Sequence, residues 1–244
     1  PDSAFYYLHK YIDVSKDDRL IIVDKDFDVL RADSTKWEQI ISKIENLYLQ
    51  QLAPSVDKEL ALKLFYMGIE DQKYRVYLFA LGQVPLDSTG SFRILASTKE
   101  IDELGEIIKK HGFPTISKVG ILGASNAFLI LQHSDKIVKY YRKVKKVYKQ
   151  GEMDPLDFAL ITDRYLLDTH RKQLYGTQLT RDRKSQKKYP GKYILCPVKD
   201  FENVNERRKA IGFQSTVEEF VASWQDDRYI IPQEYYKKNR KNKK

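Results

Sequence analysis

Cysteine is all but missing from this chain: Cys196 is the single one in 244 residues. One thiol excludes an internal disulfide and a cysteine-based metal cluster, and it fits a cytoplasm or a cell envelope equally well. Long hydrophobic runs are missing too. The longest, Val119 to Leu131, is interrupted by Gly, Ser and Asn and is too short to span a bilayer. There is no P-loop, Rossmann glycine pattern, GxSxG elbow, zinc-finger spacing or HExxH pair. These gaps remove the commonest nucleotide-binding, zinc-dependent and serine-hydrolase chemistries, and no cofactor or metal is expected. The first residue is Pro1, not Met, so an upstream segment is expected to have been removed. A signal peptide or lipoprotein leader is the candidate, which favours a periplasmic or lipid-anchored location over the cytoplasm.

What is present describes a soluble globular protein. Apolar residues make up 42 % and aromatics 12 %, enough for a self-sufficient core. The net charge of +9 would suggest a nucleic-acid partner until it is located. The tail KKNRKNKK (Lys237 to Lys244) carries +6, and a second cluster, Arg181 to Lys192, carries +5. A third run, Lys136 to Lys149, has seven positive charges and no acid. There Ile137, Tyr140, Tyr141, Val144, Val147 and Tyr148 fall at helical spacing, so the cations read as the solvated face of a helix. No recognised nucleic-acid module accompanies them, and nucleic acid is not expected as a partner.

The spacing of apolar residues predicts a mainly α fold (α+β) with small β-hairpins and one central buried helix. Residues 1–55 read as an N-terminal extension, with a hairpin in RLIIVDKDFDVLRAD and a helix from Thr35 to Gln51 capped by Ser34. Residues 56–230 read as a helical domain carrying the site, and 231–244 as a disordered basic tail. Within the domain, Val56 to Leu81 is helical with Gly68 as a break, and Thr98 to His111 ends at Gly112 and Pro114. Val119 to His133, apolar nearly all round, is the candidate for the buried centre. Asp154-Pro155 opens another helix. After it a hairpin is expected, with strands near Tyr165–Asp168 and Leu174–Gln178, a third strand in KYILCPV, and short helices over Asn205–Ile211 and Thr216–Trp224.

Polar residues embedded in this apolar pattern mark a site. Asp163 lies at i+7, i+4 and i+3 from Leu156, Ala159 and Leu160, so it points inward. A buried carboxylate must be paired, multiply hydrogen-bonded or neutralised. Asp163 therefore either anchors an ion pair, caps a neighbouring loop, or serves as a general acid or base with a shifted pKa. His133 and Asp135 form an HxD pair at a helix end, suited to acid–base work or to a structural role. Asp71 and Arg75 sit at i,i+4 as an ion pair. Tyr175, Gly176, Thr177 and Gln178 read as a strand whose alternation puts Tyr175 and Thr177 on one face, with Gly176 permitting close approach.

In order, these motifs resemble a bacterial domain family with no known function. The pattern runs DQ-x-x-R, HG-[WF]-P, QH-x-D, DR, YGTQ and N-x-x-x-RR-x-x-x-G. Here it is met by Asp71, Gln72 and Arg75; His111 to Pro114; Gln132, His133 and Asp135; Asp163 and Arg164; Tyr175 to Gln178; and Asn203 to Gly212 with Arg207-Arg208. Phe113 stands where Trp is commoner, and the basic stretch after Gln178 looks peculiar to this chain. The resemblance covers about residues 60–225 and implies that the marked residues share one site. It implies no activity.

Two functions are therefore carried forward. In the first, His133 and Asp163 perform acid–base chemistry in a polar cleft, as in a hydrolase or lyase. Arg164 would hold an anionic group, with Asp71, Arg75, His111, Gln132, Asp135, Tyr175, Thr177 and Gln178 binding the substrate. In the second, the same surface is a non-catalytic module for a cell-envelope component or partner protein.

Overall fold

Apolar residues at helical spacing do build the N-terminal part of the chain as helices. The computed structural model describes residues 2–15, 19–80, 98–225 and 227–236, with the backbone alone for 74–80 and 98. Two compact units divide these residues, one holding 2–15, 19–80 and 98–130 and the other 131–225 and 227–236. The segment expected as a separate extension thus shares its unit with the helices that follow it. Helix α1 (Asp2–Val14) buries Phe5, Leu8 and Ile12.

The hairpin expected next is absent. Two 3₁₀ turns, Arg19–Ile22 and Lys25–Phe27, lead into α2 (Asp28–Arg31). Asp24 caps the second turn through the Asp26 amide. Arg31 pairs with Asp28 and donates to the carbonyls of Ile21, Ile22 and Asp24 at 3.1, 3.1 and 2.6 Å. Those bonds occupy carbonyls that a strand ladder would need.

Helix α3 (Ser34–Gln50) buries Trp37, Ile40, Ile44 and Tyr48, and its cap is Asp33, one residue earlier than expected. Helix α4 (Lys58–Ala80) runs through Gly68 without a break. The glycine is there for packing: a Cβ on it would overlap the side-chain amide of Asn126. Asn126 Nδ2 donates to the Leu64 carbonyl at 3.1 Å, and its Oδ1 accepts from Arg19 at 3.1 Å. Helix α5 (Thr98–His111) stops at Gly112, which takes φ +75°. Helix α6 (Ile116–Gln132) is interrupted at Gly120 (φ 73°, ψ 170°). Beyond that point Ala124, Ala127, Phe128, Ile130 and Leu131 are buried, whereas Ile121 is 65 % exposed.

In the second unit α7 (Ile137–Lys149) packs on α8 (Pro155–Asp168). Tyr141 stacks on Tyr165 with centroids 3.6 Å apart, and Tyr148 on Phe158 at 3.9 Å. Asp154 caps α8 as expected, accepting from the amides of Leu156 and Asp157. The hairpin expected after it is replaced: Tyr165–Asp168 is the last turn of α8, and residues 174–178 form an irregular loop. The strands are β1 (Leu179–Thr180), β2 (Tyr193–Leu195) and β3 (Tyr229–Ile230), with β2 falling in KYILCPV. Strand β1 pairs antiparallel with β2 (Leu179 opposite Leu195), and β3 joins β2 in parallel (Tyr193 opposite Tyr229).

Between β1 and β2 lies α9 (Arg183–Lys188), so the basic stretch forms the connection between two paired strands. Arg181 covers Tyr193, Tyr193 stacks on Tyr229, and Tyr229 on Trp224, at 5.3, 4.8 and 4.8 Å. The expected short helices follow as α10 (Val204–Ile211) and α11 (Val217–Ala222). Gly212 ends the first, and a Thr216–Glu219 capping box starts the second. The tail from residue 237 lies outside the described residues. Among the described residues no helix is long and apolar enough to cross a membrane.

Replacing Gly68 with Ala should destabilise the protein by about 1–3 kcal/mol, the usual cost of overpacking, despite the better helix propensity of Ala. Urea denaturation of the two proteins measures it; an unchanged or higher midpoint would show that Asn126 moves aside freely.

Candidate functional site

Asp163 is fully buried on α8 as expected, but the helix buries a different face from the one its spacing indicated. Ala159 is buried with it, whereas Leu156 is exposed and Phe158, Ile161, Thr162 and Leu166 line the buried side. Its carboxylate collects the loop that follows the helix. Oδ1 accepts from the amides of Leu174 and Tyr175 at 2.7 and 3.1 Å. Oδ2 accepts from the amides of Tyr175 and Thr177 and the Thr177 hydroxyl, at 3.2, 3.0 and 3.0 Å. Burial pushes the Asp163 pKa above its ordinary value, and these donors oppose the rise. Donors converging on both oxygens satisfy a group that would otherwise be very costly to bury.

The loop can fold around a carboxylate because Gly176 adopts φ +68°. A Cβ there would meet Val217 Cγ2 at 2.7 Å, so the close approach foreseen at this glycine is made by α11. The left-handed residue also removes the strand alternation expected for Tyr175 and Thr177. Thr177 faces Asp163, while Gln178 turns back to donate to Thr177 Oγ1 at 2.9 Å.

The other side of the loop is held by cations. Arg207 Nε donates to the Leu174 carbonyl at 2.9 Å and its terminal nitrogen to the Lys199 and Asp200 carbonyls at 2.5 and 2.9 Å. Arg208, only 1 % exposed, donates to the Tyr175 carbonyl at 2.9 Å and to Ser215 through its carbonyl and hydroxyl. Its guanidinium lies over Phe213, 4.2 Å from the ring centroid. Burial lowers the Arg208 pKa, against the charges of Asp163, Glu218 and Glu219. Gln173, wholly buried, completes the clamp: it accepts from the Gln178 amide and donates to the carbonyls of Gln178 and Cys196. Amides are drawn to an anion and carbonyls to two cations, so the loop is fixed from both sides.

One polar side chain of the loop takes no part in the clamp. Tyr175 is half-buried, and its hydroxyl has no hydrogen-bond partner among the described residues. Burial raises the phenol pKa, and nearby Asp163, Tyr148 and Tyr141 add to that while Arg207 opposes it. Tyr141 donates to Thr162 Oγ1 at 3.1 Å. The second unit therefore gathers the phenols of Tyr141, Tyr148 and Tyr175 beside the clamped loop.

The other expected site residues are placed as follows. Arg164 is buried, and Gln132 is partly buried at the end of α6. His133 is buried, whereas Asp135 is 70 % exposed and pairs with Lys136 at 3.0 Å. The HxD residues thus differ in environment, because Ser134 turns the chain by bonding the Leu131 carbonyl and the Lys136 amide. Asp71, Arg75 and His111 belong to the first unit. Asp71 is buried and accepts from Gln72 at 2.6 Å, and the Arg75 side chain lies outside the described residues. His111 is exposed, at a cavity of about 320 Å³ lined by Asp57, Leu60, Lys63, Glu103 and Lys110. Cys196 is buried, which pushes its thiol up to about 12 and makes it a poor nucleophile.

Sequence reasoning named the RR pair without a role for it. The signal was present: Val204, Arg208 and Ile211 fall at i, i+4 and i+7, so Arg208 sits on the buried stripe of α10. For Gln173 no pattern in the sequence announced burial.

A mainly helical protein whose buried acid and paired arginines fix a Tyr-bearing loop is the class these observations define. Residues 85–231, more than half of the chain, match the family described as "Family of unknown function (DUF6624)", and the chain belongs to that family. Asp71 and Arg75 precede the matched region, and the stretch Arg181–Lys192 falls inside it. No curated protein and no solved structure matches the chain significantly.

Asp163→Asn puts an amide N–H₂ where backbone donors need an acceptor. It should lower stability by about 3 kcal/mol or more, and Thr177→Val, which removes one donor, by about 1–2 kcal/mol. Thermal melts compare them; an Asp163→Asn variant as stable as wild type would refute the clamp.

Proposed function

We propose that this chain is a non-catalytic binding module for a cell-envelope component, with Tyr175 as its central contact. The observation that carries the reading is the contrast within one loop. The backbone of Leu174–Thr177 is committed to Asp163, Arg207 and Arg208, while the Tyr175 phenol is held half-buried with no partner among the described residues. A rigid loop presenting an unengaged phenol beside two more tyrosines suits recognition, since the side chain gives up little entropy on binding.

Acid–base turnover in a hydrolase or lyase is the weaker reading. It requires Asp163 to exchange a proton with a substrate while both of its oxygens hold the loop, and it pairs His133 with an Asp135 that is exposed and bound to Lys136. Under the binding reading Asp163 and Thr177 position the loop, and Gln178 supports Thr177.

Purified cell-wall polysaccharide is a suitable probe. Tyr175→Phe should melt like wild type and bind this probe about tenfold more weakly, the value of one hydrogen bond; Tyr175→Ala should bind still less. Unchanged binding by a folded Tyr175→Phe variant would remove Tyr175 from the contact. Turnover of any envelope substrate, abolished in a folded His133→Ala variant, would favour the enzyme.

A further inference from the structure

Among the described residues no acid pairs with the exposed cations of α7. With about 100° between successive residues, Ile137, Val144 and Val147 define the buried side of the helix. Lys139, Arg142, Lys143, Lys145, Lys146 and Lys149 then fall on an arc of about 160° on the opposite side. All six are exposed, and none makes an ion pair among the described residues. Within the helix the arc contains one other residue, Val138, which is 52 % exposed. Tyr140 flanks it, with Lys139 and Lys143 5.0 and 6.0 Å from its ring centroid. The acid just before the helix, Asp135, is taken by Lys136.

This arrangement works against the helix. Lys139 with Lys143, Arg142 with Lys146, and Lys145 with Lys149 are like charges at i,i+4, and each such pair is destabilising. The fold needs only the buried side of α7, so the cationic side is not a requirement of packing. A surface that repels itself when bare is relieved by an anionic counter-surface.

We infer that the exposed arc of α7 docks on an anionic lipid surface, its lysines lying among phosphate headgroups. The proposal is independent of the reading given to Tyr175. Charge complementarity favours it first: six cations with no ion pair among the described residues lie along a helix about 20 Å long, and each cation near an anionic bilayer strengthens the contact. The residue types are the second. Five of the six are lysines, whose long stems let a helix lie on a surface while the ammonium groups reach the headgroups. A tyrosine at the margin is a residue type enriched at such boundaries. Nucleic acid fits less well, because the arc is convex and its only amide side chain, Gln150, sits at the helix end.

The test uses the full chain and sedimentation with mixed phosphatidylglycerol–phosphatidylcholine vesicles. Wild type should bind them in low salt, bind pure phosphatidylcholine vesicles far less, and be released by high salt. The triple variant Lys139→Gln, Lys143→Gln, Lys146→Gln should partition about 100-fold more weakly, roughly fivefold for each charge removed. Its melting temperature should equal or exceed that of wild type, because repulsion within the helix is reduced. Equal binding to neutral vesicles, unchanged binding by the triple variant, or loss of binding only through unfolding would each overturn the proposal. So would a single-stranded oligonucleotide that binds wild type more tightly than the vesicles do, which would assign the surface to nucleic acid.

Discussion

A carboxylate with no exposure to water holds the second unit together. Asp163 is wholly buried, and an ion in that position is tolerated only if its oxygens are filled. Backbone amides of the next segment fill them, which fixes where that segment runs. From this one constraint the rest follows. The loop needs a left-handed residue, and Gly176 supplies it. Its carbonyls point away from the acid and meet Arg207 and Arg208 on α10. The close contact of Gly176 with Val217 brings α11 against the same loop.

The arrangement resembles an ion pair in which the two charges never touch. Asp163 and Arg208 bind the amide and the carbonyl of the same residue, Tyr175, so the peptide dipoles connect them. Burying both charges is costly, and each on its own would be destabilising. Satisfied through the backbone, they specify one loop conformation, which is the attested use of buried polar networks. The proposed recognition through Tyr175 would draw on that rigidity, and the cationic arc of α7 would add an electrostatic surface within the same unit.

Much of the helical architecture could be read from periodicity and caps. Asp154-Pro155 and Gly112 announced their boundaries, and Asp163 is indoors as expected, although Leu156, one of the residues that placed it there, is exposed. The errors share a cause: long-range hydrogen bonds overrode local pattern. RLIIVDKDFDVLRAD looks like paired strands until Arg31 takes its carbonyls. Tyr175–Gln178 alternates like a strand until Asp163, eleven residues upstream of Leu174, gathers its amides. Gly68 resembled a helix break because Asn126, which needs the space, is far away in the chain. The site was legible in its residue types but not in its roles, since whether a buried acid works on a substrate or on its own backbone depends on partners that spacing does not reveal.

Amide hydrogen exchange at Leu174, Tyr175 and Thr177 tests the central claim most directly. Bonded to a buried carboxylate, these three amides should exchange only through unfolding of the second unit, as slowly as those in the middle of α8, although they lie in an irregular loop. Exchange at the rate of an open loop, with α8 still protected, would contradict the account.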